Sequence, residues 1–274
     1  MRLAILLGAA LGLGGCVAVP GTMDEDHLAS RSNITGEVFP ALDAGASEQQ
    51  SLHFLVRAYG SAQAQQIADI AENAYSRIMV DTGLSSFKPL GGLYKLVVYA
   101  NPEEYQRKTA QPSWSGGVSV GNAIYSYAGG QLDRVVSHEM THLIFYEYMG
   151  RTNLEHRWIN EGLAVFEENK AGQPPSGGAS PPQMPRPAGW QPLAMESMLH
   201  MVPASEREYN VNAWYYQAES MVRFMIERGG RIGFGQFLAA IRQDVPLDKA
   251  MPGAFPGVWR DLTDYEQSWR KAQL

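Results

Sequence analysis

From residue 52 onward, apolar and polar positions follow patterns that predict strands and helices in alternation. Short runs rich in β-branched and aromatic residues predict strands, and longer runs with apolar residues three and four positions apart predict amphipathic helices. The predicted strands span 52–59, 94–100 and two glycine-rich pieces within 117–127. The predicted helices span 62–83, 102–109, 132–149, 161–170, 195–200, 212–228, 234–242 and 261–271. This pattern predicts an α+β fold, in which a mixed domain is followed by a helical lobe.

The same patterns divide the chain into five segments. They are a signal peptide (1–15), a flexible tether (16–50), a mixed α/β domain (51–170), a loop (171–191) and a helical lobe (192–274). The tether is rich in small and polar residues, and its prolines and glycines interrupt any periodicity. The loop contains six prolines, which cannot continue the preceding helix.

One short run within the predicted helix 132–149 carries chemistry. His138 and His142 enclose Glu139 in the sequence His-Glu-Met-Thr-His. Residues four apart lie on one face of an α-helix, so both imidazoles can reach a single metal ion. Glu139 lies on the neighbouring flank, where it is better placed to take a proton from a metal-bound water than to bind the metal.

A second motif supplies a third candidate ligand. After a gap of eighteen residues from His142, Glu161 begins the predicted helix 161–170 within the run Asn-Glu-Gly-Leu-Ala. Three protein ligands leave the fourth position of a tetrahedral zinc open to water, which distinguishes a catalytic site from a closed structural one. A His-Glu-any-any-His run also occurs by chance, and it is the helical apolar stripe around it and the second motif that favour a metal site.

At these two motifs the chain resembles the gluzincin clan of zinc metallopeptidases, most closely the bacterial peptidase MA-like proteins. The resemblance covers about residues 52–242 and is strongest in the motifs. It implies a zincin-like fold, in which a twisted sheet carries an active-site helix and a helical lobe completes the cleft. It also implies one Zn²⁺ held by His138, His142 and Glu161, with Glu139 as general base and general acid.

The resemblance bears on three further positions. Thermolysin-like members place an Asp four residues after the ligand Glu to orient a histidine, but here that position is Val165. The partners that orient the ligands are therefore unassigned. Peptidase MA-like proteins carry a tyrosine at the start of a C-terminal helix, and its hydroxyl could stabilise the oxyanion. Tyr215 fits best, Tyr216 is a close rival, and packing of both rings in the lobe is the alternative.

The stretch 117–127 precedes the metal-site helix, and in gluzincin-like proteins the strand in this position is the edge that pairs with an extended substrate. The resemblance implies that role here, with a plain hairpin as the alternative. The stretch contains no carboxylate that could hold the free amine of a substrate. This favours an endopeptidase over an aminopeptidase.

The N-terminus predicts a lipid anchor. Met1 and Arg2 form a short positive region, residues 3–13 are apolar, and Leu-Gly-Gly precedes Cys16, the only cysteine, in a run that resembles a bacterial lipobox. An ordinary secretory signal with an incidental cysteine is the alternative. Lipidation of Cys16 would place the protein in the bacterial cell envelope. The favoured prediction is the outer membrane, with the protein facing the periplasm, and the alternative is the cell surface.

Composition narrows the choice of function. The formal net charge of −6 and the absence of a basic run argue against nucleic acid as a partner. We therefore expect a zinc metallopeptidase that acts on a peptide or protein substrate. The alternative is a catalytically silent zincin-fold lipoprotein that binds other envelope components. His53, His156 and His200 have no partner at ligand spacing and are predicted to be structural or surface residues.

Overall fold

The computed structural model describes residues 38–84, 92–171, 183–201 and 208–273. The predicted signal peptide, Cys16 and the first part of the predicted tether lie outside these residues, as does most of the predicted loop 171–191. Within the described ranges, no helix combines the length and the apolar character needed to cross a membrane.

Five strands of the described chain form one mixed sheet in the order β1-β2-β3-β5-β4. They are β1 (Ala46–Gln50), β2 (Phe54–Tyr59), β3 (Tyr94–Tyr99), β4 (Gly117–Val120) and β5 (Ala123–Tyr127). The three central strands, β2, β3 and β5, run parallel, and the two outer strands pair antiparallel with their neighbours. The predicted stretch 117–127 is thus a hairpin, and β4 lies at one edge of the sheet.

Helices cover the sheet and form a lobe beside it, which confirms the α+β class. They are α1 (Ser61–Asp81), α2 (Pro102–Thr109), α3 (Leu132–Met149), α4 (Arg157–Lys170), α5 (Met195–His200), α6 (Glu208–Arg242), α7 (Leu247–Ala254) and α8 (Leu262–Ala272). α3 packs on α1, β4 and β5, and α4 packs between α3 and α6. This layering brings the two predicted motifs into contact.

The helix that carries Glu161 begins earlier than predicted. A 3-10 turn at Leu154–His156 leads directly into α4, which begins at Arg157. The side chain of Asn153 caps that turn by accepting a hydrogen bond from the Glu155 backbone. Glu161 therefore lies in the second turn of α4 and not in the first, as the sequence had suggested.

The lobe differs from the prediction in two places. The predicted helices 212–228 and 234–242 form one run, α6, with a sharp kink at Gly230, whose φ of 78° is a left-handed value that glycine adopts easily. The short helix α7 was not predicted. It contains Pro252 and Gly253, which obscure a helical pattern over only eight residues.

The predicted tether 16–50 is too long. Its last five residues form β1, which pairs with β2. Further upstream, the Phe39 ring packs edge-on against Tyr125 at 4.9 Å, on the sheet face that α2 also covers. The segment is polar because every second residue of β1 faces water at the edge of the sheet, and a polar edge strand has the same composition as a flexible tether.

Candidate metal centre

Helices α3 and α4 bring His138, His142 and Glu161 together. One ligand atom of each lies within 4.8 Å of the others. The Nε2 atoms of the two histidines are 3.1 Å apart, and His142 Nε2 is 3.7 Å from Glu161 Oε2. Ligand atoms around a tetrahedral zinc with bonds of about 2.0–2.1 Å are about 3.3 Å apart. The three side chains could therefore hold one metal ion.

Each imidazole is oriented by an acceptor on α4. His138 Nδ1 is 3.0 Å from Glu168 Oε2, and His142 Nδ1 is 3.0 Å from Asn160 Oδ1. An acceptor at each Nδ1 assigns the ring proton to that nitrogen and leaves the Nε2 lone pair for a metal. Sequence reasoning missed both partners. The sequence held a partial signal for one of them. Glu168 lies seven residues, or about two helical turns, after Glu161, so both carboxylates lie on the same face of α4.

The centre attracts positive charge. Burial alone would lower the pKa of the His138 imidazole, but its hydrogen bond to Glu168 and the negative charges nearby raise the value to about 9. Glu168 is itself held by Arg134, whose Nη2 lies 3.2 Å from Glu168 Oε1. The negative charges that raise this pKa would also favour a metal cation at His138 Nε2.

Glu161 provides an independent test of the fit. Its Oε2 atom is buried and accepts no hydrogen bond within the described chain. Leaving a carboxylate oxygen buried without a partner is costly, and native structures rarely do so without an ion or water. A metal ion bound between Glu161 and the two imidazoles would satisfy this atom, so the residues present fit the cation that the motif implies.

Glu139 lies beside the edge strand. It is half-buried on α3. A Cβ added to Gly117, the first residue of β4, would lie 3.4 Å from Glu139 Cγ and 2.6 Å from Val135 Cγ1. Only glycine lets the strand pass this close to the helix. The candidate base therefore lies next to the strand that could hold an extended peptide.

The two candidate tyrosines have different surroundings on α6. Tyr216 accepts a hydrogen bond from Arg186 at 3.2 Å, and its ring packs edge-on against Trp190 at 4.9 Å. Tyr215 lies three residues before Ala218, the point at which α6 touches the helix of Glu161. Residues three apart share a helix face, so Tyr215 is on the side of α6 that faces α4. Its role as oxyanion donor stays a prediction.

The isolated histidines lie outside the candidate metal centre. His53 Nδ1 is 2.7 Å from Glu72 Oε2, and its ring stacks on Tyr75 at 4.1 Å. His156 is buried in the 3-10 turn before α4, and His200 is largely exposed. None of the three belongs to the ligand group of the metal centre.

No protein-family model and no curated protein matches this chain. Its chemistry is therefore inferred from the site alone. That site combines two imidazoles with oriented lone pairs, a buried carboxylate oxygen that accepts no hydrogen bond from the described residues, and a second carboxylate beside an edge strand.

Proposed function

We propose that this protein is a zinc-dependent metallopeptidase of the gluzincin type, anchored in the bacterial cell envelope by lipid on Cys16. The observation that carries the proposal is the group of His138, His142 and Glu161, whose ligand atoms lie within 4.8 Å of one another. Two imidazoles and one carboxylate are the donors of many catalytic zinc sites, which keep one position open. The proposal includes a zincin-like fold.

Each residue of the site has a separate role in the proposed hydrolysis. When bound, zinc would lower the pKa of a water and polarise the substrate carbonyl. The Glu139 carboxylate would accept a proton from the attacking water and deliver it to the leaving amine. Glu168 and Asn160 keep the two histidines in the tautomer that binds metal. Tyr215 donates a hydrogen bond to the carbonyl oxygen as negative charge develops on it.

The edge strand β4 is a reason to propose a peptide as the substrate. An extended peptide can add to a sheet edge through main-chain hydrogen bonds, which fix its position without selecting a particular sequence. Gly117 places this edge beside Glu139. The hairpin Gly117–Tyr127 contains no carboxylate that could bind a free α-amine. We therefore favour cleavage within a peptide or protein chain over removal of its N-terminal residue.

Substitution of the base tests the mechanism. Glu139→Gln should still bind one zinc per chain, but cleavage of a mixed peptide library should fall about 10²- to 10⁴-fold, the usual contribution of general acid–base catalysis. His142→Ala should lose both zinc and cleavage. Glu147→Gln is a matched control on the same helix, since the Glu147 carboxylate binds the Tyr94 hydroxyl and not the metal group.

Each result has a distinct meaning. Undiminished cleavage by the Glu139→Gln protein would refute the mechanism. One zinc in the wild-type chain without any cleavage would instead favour the catalytically silent scaffold. Absence of zinc from the wild-type chain would overturn the assignment of the site.

A further inference from the structure

Arg77, near the C-terminal end of α1, binds both helices that form the metal centre. Its Nη2 atom donates to Ser137 Oγ at 2.7 Å, and its Nε atom donates to Glu167 Oε2 at 2.8 Å. Ser137 immediately precedes the candidate ligand His138 on α3. Glu167 immediately precedes Glu168, the hydrogen-bond partner of His138, on α4. The Arg77 guanidinium thus bridges α3 and α4, the same two helices that the His138–Glu168 hydrogen bond connects.

Fold stability alone gives little reason for this ion pair. The Glu167 side chain is fully buried, and its Oε1 atom accepts no hydrogen bond within the described chain. Burial and the negative charge of Asp81 raise the pKa of Glu167 to about 7, although Arg77 opposes the rise. A buried ion pair often stabilises a fold no better than well-packed apolar residues of similar volume. We therefore look for the reason for the buried charges of Arg77 and Glu167 in the orientation of α3 relative to α4.

Neighbouring contacts reinforce that orientation. Asp81, the last residue of α1, is buried and pairs with Lys170, the last residue of α4. It also pairs with Arg231 on α6 at 2.9 Å, immediately after the kink. Glu167 and Lys170 lie three residues apart on one face of α4. The end of α1 therefore holds α4 at two points along one face, which resists rotation of α4 about its axis.

We propose that Arg77 is a positioning residue of the metal centre. By holding Ser137 and Glu167 together, it fixes the rotation of α3 against α4, so that the histidines on α3 and Glu161 on α4 face a common point. The inference rests on the proposed function, because it requires a metal ion in the site. Groups that orient metal ligands without touching the metal commonly change metal affinity 10- to 100-fold.

Zinc affinity of the full chain, measured by competition with a chromogenic chelator, tests this role. Arg77→Met is expected to lower the affinity about 10- to 100-fold, while circular dichroism shows an unchanged helix content. Arg57→Met is the matched control. Arg57 lies on β2 and pairs with the exposed Glu48 on β1 at 2.8 Å, so its loss should leave zinc affinity unchanged. Equal affinity in wild type and folded Arg77→Met would overturn the inference.

A double variant separates positioning from stability. Arg77→Met alone leaves the buried Glu167 without its cation, which can destabilise the fold severely. Arg77→Met combined with Glu167→Leu removes both charges, so it should recover much of the resistance to unfolding. Its zinc affinity should stay low, because Ser137 still has no partner on α1. A recovery of zinc affinity together with stability would show a purely structural role and refute the inference.

The two proposals fail in different ways. A wild-type chain that binds no zinc would refute the proposed function, and the role of Arg77 with it. Tight zinc binding by the wild type together with equally tight binding by both variants would refute the role of Arg77 alone.

Discussion

At the scale of single residues, His156 opposes folding when it ionises. It lies in the 3-10 turn before α4 and is only 8% exposed. Burial, followed by the positive charge of Arg151, lowers its pKa to about 4. The unfolded chain, in which a histidine pKa is about 6.5, binds this proton more readily than the folded chain does. The folded state therefore loses stability as pH falls from about 6.5 to about 4, and His156 adds no further loss below that.

Replacement of this histidine should flatten the acid side of the stability profile. Between pH 7 and pH 4.5, we expect wild type to lose about 2–3 kcal/mol more than His156→Gln in the free energy of unfolding. Urea denaturation at the two pH values measures this difference. His200→Gln, at a largely exposed histidine, is the control. Identical pH dependence in wild type and His156→Gln would contradict the assignment.

The residues of the metal centre differ in how far the sequence reveals them. His138, His142 and Glu161 follow from two short motifs, because helical spacing alone brings the histidines to one face. Glu168 and Asn160 act only because α3 and α4 pack in one particular rotation, and sequence spacing within either helix does not specify that rotation. Their roles became visible only with the tertiary structure.

At the scale of helices, the crossing of α4 and α6 sets the position of Glu161. The two helices meet at Gly162, where an added Cβ would lie 2.4 Å from the backbone oxygen of Ala218. Contacts this short do not occur, so the backbones can approach only because residue 162 has no side chain. The glycine of the Asn-Glu-Gly-Leu-Ala motif thus has a packing role beside the metal ligand.

Addition of one methyl group at this crossing should force the helices apart. Gly162→Ala is expected to lower the free energy of unfolding by about 1–3 kcal/mol, as overpacking usually does, and to weaken zinc binding by moving Glu161. Gly253→Ala is a matched control within a helix, because among the described residues no atom beyond its own stretch of helix lies within 4 Å of the added Cβ. Thermal unfolding and zinc titration of both proteins measure the effect. Equal behaviour of the two variants would show that the crossing tolerates a side chain.

The secondary-structure elements themselves were largely predictable. Helices such as α2, α3 and α5 have the predicted bounds, since caps, proline and apolar periodicity all act locally. The strand β1 and the helix α7 were missed for local reasons as well. β1 is polar because it lies at an edge, and α7 is short and contains Pro252.

At the scale of the whole molecule, the predicted mixed domain and lobe share one hydrophobic core. Buried residues from the sheet, from α1 and α3, and from the lobe helices form a single contiguous cluster. The other sheet face is covered by α2 and by residues that the sequence assigned to a tether, including Phe39 and Leu42. The described part of the segment before β2, from Val38 onward, is therefore part of the folded unit.

Truncation from the N-terminus measures this contribution. A chain that begins at Val38 keeps every described residue and serves as the reference. A chain that begins at Ser51 should lose at least about 3 kcal/mol of unfolding free energy, because it lacks β1 and exposes the apolar face around Tyr125. Equal midpoints for the two truncated chains would restore the original interpretation of a flexible tether.

Titration of the metal-free full chain with zinc, while cleavage of a mixed peptide library is followed, tests the central claim most directly. Cleavage should rise in proportion to added zinc and level off at one zinc per chain, and the Glu139→Gln protein should bind the same amount of zinc with little cleavage. Zinc bound without cleavage by the wild type would contradict the proposed peptidase and favour a silent scaffold. No tight binding of zinc would contradict the metal centre of His138, His142 and Glu161 itself.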